Sequence, residues 1–173
     1  AGVTFFPNVN ATTIPVFRTT SSSPILVGAS TNTTFNGIFE ANGIGLLTWQ
    51  NSGNKIFRNG IRGTGNITAN ASAATAKFII NGATAELGGT GSLTVPTTGG
   101  LDIGNPTTVT MISDKTITGS VALLNTNSVI VLGNFNLTVT GTIGITQVSS
   151  YVRTNGTGKL TLPITIAGFF GLK

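Results

Sequence analysis

Four carboxylates, Glu40, Glu86, Asp102 and Asp114, are the only acidic side chains in this 173-residue chain. Glycoside cleavage needs two acids flanking the scissile bond, and a calcium site in a polysaccharide-cleaving coil needs several in a cluster. Glu40 and Glu86 stand alone, while Asp102 and Asp114 are twelve residues apart with no Asp-x-Asp spacing. All four read as solvated or locally paired. The chain has no Cys and no His, so it has no disulfide, and neither thiolate nor imidazole can hold a metal or act in catalysis. Lys77, Lys115 and Lys159 each have Ser or Thr nearby, the raw material of a Ser–Lys or Thr nucleophile; with 31 Thr and 12 Ser such neighbours carry no signal. Gly63-Thr64-Gly65 and Gly89-Thr90-Gly91 are turn glycines, not phosphate cradles. The expectation is a non-enzyme with no cofactor and no metal, a polysaccharide-acting β-helix enzyme being the distant alternative.

Binding chemistry has one candidate. Trp49, followed by Gln50 and Asn51, precedes a basic cluster of Lys55, Arg58 and Arg62, which together could stack on a sugar or attract an anion. The plainer reading is a core Trp and a polar turn. Net charge is +5 with a pI near 10.3, yet the nine basic residues are spread from Arg18 to Lys173, so no nucleic-acid surface is expected. Six Asn-x-Ser/Thr sequons, at Asn10, Asn32, Asn66, Asn70, Asn136 and Asn155, are candidate glycosylation sites, hardly more than chance gives in a chain with 17 Asn.

The elements that must position these residues are strands. The stretch 129–141 runs Val-Ile-Val-Leu, turns at Gly133-Asn134, then alternates, with Phe135, Leu137 and Val139 on one face and Asn136, Thr138 and Thr140 on the other. Period two with β-branched residues is a strand signature. A hydrophobe–Thr pair recurs at Ile67, Leu93, Ile117, Leu137 and Leu160, at spacings of 26, 24, 20 and 23 residues. That recurrence predicts an all-β parallel β-helix, a solenoid stack of short strands with Thr above Thr at one outer corner. Turn pairs at Asn36-Gly37, Asn42-Gly43, Asn59-Gly60, Asn81-Gly82 and Asn155-Gly156 favour instead an antiparallel β-sandwich or jelly roll built from hairpins. Residues 69–77 are Ala-rich and form the single candidate for a helical turn. The organisation expected is an extended N-terminal arm or edge strand over 1–27, punctuated by Pro7, Pro15 and Pro24, one all-β domain over 28–163, and an apolar C-terminal strand over 164–173.

Only 8% of residues are charged and mean hydropathy is +0.34, so little keeps a lone molecule's surface wet. No apolar run reaches the roughly 18 residues of a membrane helix, and one Trp and one Tyr cannot make the girdles of a membrane barrel. Both ends are apolar and β-prone: Val3, Phe5, Phe6, Ile14 and Phe17 at one, Ile164, Ile166, Phe169 and Phe170 at the other. Such ends bury themselves in their own core or in a neighbour's. The second option, strand addition to an open sheet edge, propagates head to tail into filaments. The opening Ala1-Gly2-Val3 suits a chain trimmed of an export signal, or equally a start inside a longer one.

The segment 149–161, Ser-Ser-Tyr-Val-Arg-Thr-Asn-Gly-Thr-Gly-Lys-Leu-Thr, following the β-rich repeats around 129–144, resembles segments of large secreted surface proteins of Bacteroidota; the likeness spans about residues 100–165. The resemblance implies export, cell-surface or extracellular placement and β-rich structure, and brings no catalytic motif. Taken together, the sequence predicts an extracellular structural protein whose partners are copies of itself, assembling into a filament or surface layer. An adhesin or glycan-binding module, with surface glycans as partner, is the alternative.

Overall fold

Apolar and polar residues alternate here in runs of only three or four, and Gly or Asn closes many of them. Strands this short cannot hold a hairpin together and must stack in larger numbers. The computed structural model describes residues 3–5, 16–20, 25–28, 32–43, 47–50, 53–69, 76–104, 107–123 and 125–163. It is all-β, with no helix among the described residues. The chain runs β1 (Val3–Phe5), β2 (Val16–Thr19), β3 (Ile25–Gly28), β4 (Thr33–Phe35), β5 (Ile38–Ala41), β6 (Leu47–Gln50) and β7 (Lys55–Phe57). Then come β8 (Gly60–Arg62), β9 (Ile67–Ala69), β10 (Phe78–Ile80), β11 (Thr84–Leu87), β12 (Leu93–Thr94), β13 (Leu101–Ile103) and β14 (Thr108–Met111). The last are β15 (Lys115–Thr118), β16 (Val121–Leu123), β17 (Val129–Val131), β18 (Leu137–Val139), β19 (Ile143–Ile145), β20 (Tyr151–Arg153) and β21 (Leu160–Thr161).

From β2 onward every third strand joins the same sheet, and β1 pairs with β3. Sheet A orders β1-β3-β6-β9-β12-β15-β18-β21, sheet B orders β2-β5-β8-β11-β14-β17-β20, and sheet C orders β4-β7-β10-β13-β16-β19. All pairings are parallel, and each strand lies on the one 20 to 26 residues earlier. This is a three-sided β-solenoid, as the repeat predicted. Eight layers in sheet A span about 34 Å at the usual interstrand spacing.

The sandwich alternative does not form, and the reason lies in the turns. Asn36-Gly37, Asn59-Gly60 and Asn81-Gly82 are corners that carry the chain from sheet C to sheet B, not hairpins that fold a strand onto its neighbour. The crowding at such a corner is plain at Gly60. Its φ is +107°, and a Cβ there would lie 1.9 Å from the carbonyl oxygen of Glu86, in the coil above. The predicted Thr column also needs correction. It lies along sheet A rather than at a corner, and one link slips by two residues. Thr68, Thr94 and Thr118 are in register, but Leu137 pairs with Lys115 and Thr138 with Thr116. The 20-residue spacing between Ile117 and Leu137 was therefore a false step; the layers are 22 apart. Residues 70–75 of the Ala-rich segment lie outside the described residues.

The inward faces of the three sheets make one core. Phe35, Phe39, Phe57 and Phe78 fill its N-terminal part: Phe57 stacks on Phe35 at 5.4 Å and meets Phe39 and Phe78 edge-on at 5.6 and 5.7 Å. Further along, aliphatic rows such as Ile67, Leu93 and Ile117 take over, all fully buried. Because every layer rests on the next, a hole in one loosens both neighbours. Phe57→Ala is expected to cost about 3–5 kcal/mol by denaturant titration. Gly60→Ala is expected to destabilise the fold although it adds one methyl, since it strains a positive φ and collides with backbone.

Candidate functional site

All four carboxylates are already engaged. On the outer face of sheet B, Arg18 Nε donates to Glu40 Oε1 at 2.8 Å, Arg62 Nε to Glu40 Oε2 at 2.7 Å, and Arg62 Nη1 to Glu86 Oε2 at 2.9 Å. Asn42 adds a donor to Glu40 Oε1. The guanidinium groups of Arg18 and then Arg62 hold the Glu40 carboxyl down at about 2, and Glu40 in turn raises Arg62. Asp102 accepts from Lys77 Nζ at 2.6 Å, and Asp114 from the Asn136 backbone at 2.8 Å. These two acids, candidates for a cleavage pair, sit in β13 of sheet C and at the corner leading into sheet A. Among the described residues no group of three or more metal-ligating side chains gathers.

The proposed sugar or anion patch is dispersed. Trp49 lies in β6 of sheet A, in register with Ala69, while Lys55 opens β7 in sheet C and Arg62 ends β8 in sheet B. Of the three cations Arg58 is exposed, Arg62 is bound by two carboxylates, and Lys55 is 1% exposed. Lys55 sits where the alternation calls for an apolar residue and donates to the Gly53 carbonyl. Lys115 repeats the arrangement in sheet A. Its Nζ reaches back under the corner of the preceding coil to the carbonyls of Gly91 at 2.5 Å and Gly89 at 3.3 Å. That corner carries the chain from Leu87 of sheet B to Leu93 of sheet A, and two of its carbonyls take the buried ammonium. Burial lowers both ammonium groups to about 8.

The four described sequon asparagines hydrogen-bond across the corners. Asn66 Oδ1 accepts from Ser92 N at 2.9 Å, and Asn136 Oδ1 from Lys159 N at 3.1 Å; each residue immediately precedes a strand of sheet A. Asn32 and Asn54 continue the same device before sheet C, bonding Asn54 N and Lys77 N at 3.0 and 2.9 Å. Asn155 accepts from Gly133 N at 3.2 Å. Asn10 and Asn70 lie outside the described residues. These ladders satisfy corner amides that no strand reaches. Sequence reasoning missed them; the available signal was Asn, Asp or Ser one residue before a strand, repeated at the coil length.

Of the terminal residues, Val3 and Phe5 lie in β1 and Phe17 in β2, the end strands of sheets A and B. Phe6, Ile14, Ile164, Ile166, Phe169 and Phe170 lie outside the described residues. At the opposite end, β19, β20 and β21 close the three sheets. Four large hydrophobics are exposed among the described residues. Three of them, Ile145, Val148 and Tyr151, cluster on β19, β20 and the corner between them. There Tyr151 N bonds Ser128 O, and Leu132 N bonds Arg153 O, so strand alternation turns the N–H and C=O of Val152 away from β17 toward the open edge.

The remaining feature is a trough of about 1010 Å³ along sheet A, lined by residues such as Ser92, Asp114, Thr116, Asn136, Thr138 and Lys159. Three outward columns run along this sheet, two residues apart on each strand. One holds Thr48, Thr68, Thr94 and Thr118, with Thr140 next; a second holds Asn66, Ser92, Thr116, Thr138 and Thr161; the third, at the rim, holds Asp114, Asn136 and Lys159.

Two pH effects follow. The depressed Glu40 group stabilises the fold fully above the unfolded carboxyl value of 4.5, and that stability is lost as pH falls toward 2. Melting curves between pH 5 and 2 are expected to fall, and Glu40→Gln to flatten them. The buried lysines bind protons more weakly folded than unfolded, so stability is expected to rise as pH climbs from about 8 to 10.5. Replacing Lys55 and Lys115 together by Met is expected to remove that alkaline rise.

No protein-family model, curated protein or solved structure matches this chain.

Proposed function

We propose that this chain is an exported structural protein that polymerises end to end into an extracellular filament or surface layer. The observation that carries this reading is the C-terminal end of the solenoid, where exposed Ile145, Val148 and Tyr151 flank three strands that end their sheets. A solenoid that stays monomeric needs a polar terminal layer. Here Ile145, Val148 and Tyr151 stay exposed in the last described layer, and its strands present backbone groups in the same parallel geometry that joins every coil below. A second copy offers the matching surface, since β1, β2 and β4 are the first strands of the same three sheets. One joint adds three parallel strand pairings and the burial of several apolar side chains, each contributing roughly 2 kcal/mol when fully covered.

The chemistry elsewhere agrees with a structural role. Every acid is tied into ladders or ion pairs, and the Trp49, Lys55, Arg58 and Arg62 set does not converge. Purified protein is expected to form fibres by electron microscopy. Ile145→Lys with Tyr151→Lys, both on exposed positions, is expected to leave particles at the 17.6 kDa of one chain by light scattering. Wild-type protein that stays monomeric when concentrated, or fibres undiminished in the double variant, would refute the end-to-end mechanism.

A further inference from the structure

The outer face of sheet A is unlike the other two. Sheet B carries the Arg18–Glu40–Arg62–Glu86 ion ladder, and sheet C mixes Thr34, Ile56, Ile79, Asp102 and Ala122 along its middle row. Sheet A presents hydroxyls and amides with no charge and no aromatic ring in either column inside the rim. Parallel layering sets the repeat of this grid at about 4.8 Å along the columns and about 6.6 Å between them. The backbone beneath is hydrogen-bonded in every layer and the β-branched threonines are stiff at χ1, so the hydroxyls hold their lattice.

A single surface hydroxyl is a poor ligand site, because water competes for it and a typical hydrogen bond nets only about 1 kcal/mol. A fixed grid gains when the ligand is itself rigid and periodic, for then many contacts form at no further ordering cost. Linear polysaccharides repeat in one direction, and their sugar rings are usually held by flat aromatic side chains, which this face lacks. Ice repeats in two directions at comparable intervals. The methyl beside each threonine hydroxyl leaves the adjoining surface weakly hydrated, whereas strongly hydrated charges would resist joining a lattice of water; Asp114 and Lys159 stand in the neighbouring column, outside the two hydroxyl columns. We infer that the threonine grid of sheet A, centred on Thr116, Thr118, Thr138 and Thr140, is an ice-binding surface.

This inference needs one folded chain and holds whether or not copies assemble. The test is the freezing hysteresis and ice-recrystallisation behaviour of the purified protein. Two grid variants are compared, Thr116→Tyr with Thr138→Tyr and Thr118→Lys with Thr140→Lys, alongside a control on sheet B, Thr84→Tyr with Thr110→Tyr, both exposed. Circular dichroism establishes that each is folded. Wild type and control are expected to shape and arrest ice, and either folded grid variant to lose about tenfold in activity, the equivalent of about 1.4 kcal/mol. Absence of ice activity in the wild type, equal activity in grid variants and control, or retention on an insoluble linear glucan without any effect on ice would each overturn it.

Discussion

In this chain a strand's hydrogen-bonding partner is never its neighbour in sequence; it is the strand one full coil away. That constraint governs the rest of the structure. A coil must return to its starting side with its inward residues above inward residues, although its length varies from 20 to 26 residues. Extra residues have to be absorbed at corners, and the corners supply the odd features of the molecule: the positive φ at Gly60, the asparagine ladders, and the lysine that reaches under 89–91. An amide left over at a corner has no strand to bond with, and a side chain one coil away takes the place of the missing strand.

The same constraint sorts the side chains. The interior takes aromatic and aliphatic rows without charge except for Lys55 and Lys115, whose ammonium groups meet backbone carbonyls. The few charges elsewhere are organised by layer, alternating in sign up sheet B. With only thirteen ionic groups, six of them in ion pairs among the described residues, the surface is left mostly to hydroxyls and amides. Such a surface is wettable but not repulsive, which is compatible with the end-to-end assembly proposed above.

Much of this was legible beforehand. Period-two alternation at Leu93-Thr94 or Leu137-Thr138, and its return at roughly a coil's length, identified strands, layers and an outward Thr column. The local turn signal misled, because Asn-Gly serves a corner as readily as a hairpin, and only the long-range partner tells them apart. Lys115 concealed the true register. It occupies an inward slot that the alternation assigns to an apolar residue, so Lys115-Thr116 was not seen as the partner of Leu137-Thr138. Lys55 misled in the same way, reading as part of a surface patch while lying in the core. The corner ladders of Asn66 and Asn136 were not legible, because their bonding partners, 26 and 23 residues away, leave no local trace.

End-to-end assembly, as proposed, completes the last coil of one copy with the beginning of another. Residue-resolved amide hydrogen exchange at rising protein concentration is the sharpest check, read at Val152, whose N–H faces away from β17 with no partner among the described residues, against Ile130 in the interior. Val152 is expected to exchange quickly in dilute solution and become protected as concentration rises, while Ile130 stays protected throughout. Exchange at Val152 that is independent of concentration would contradict it.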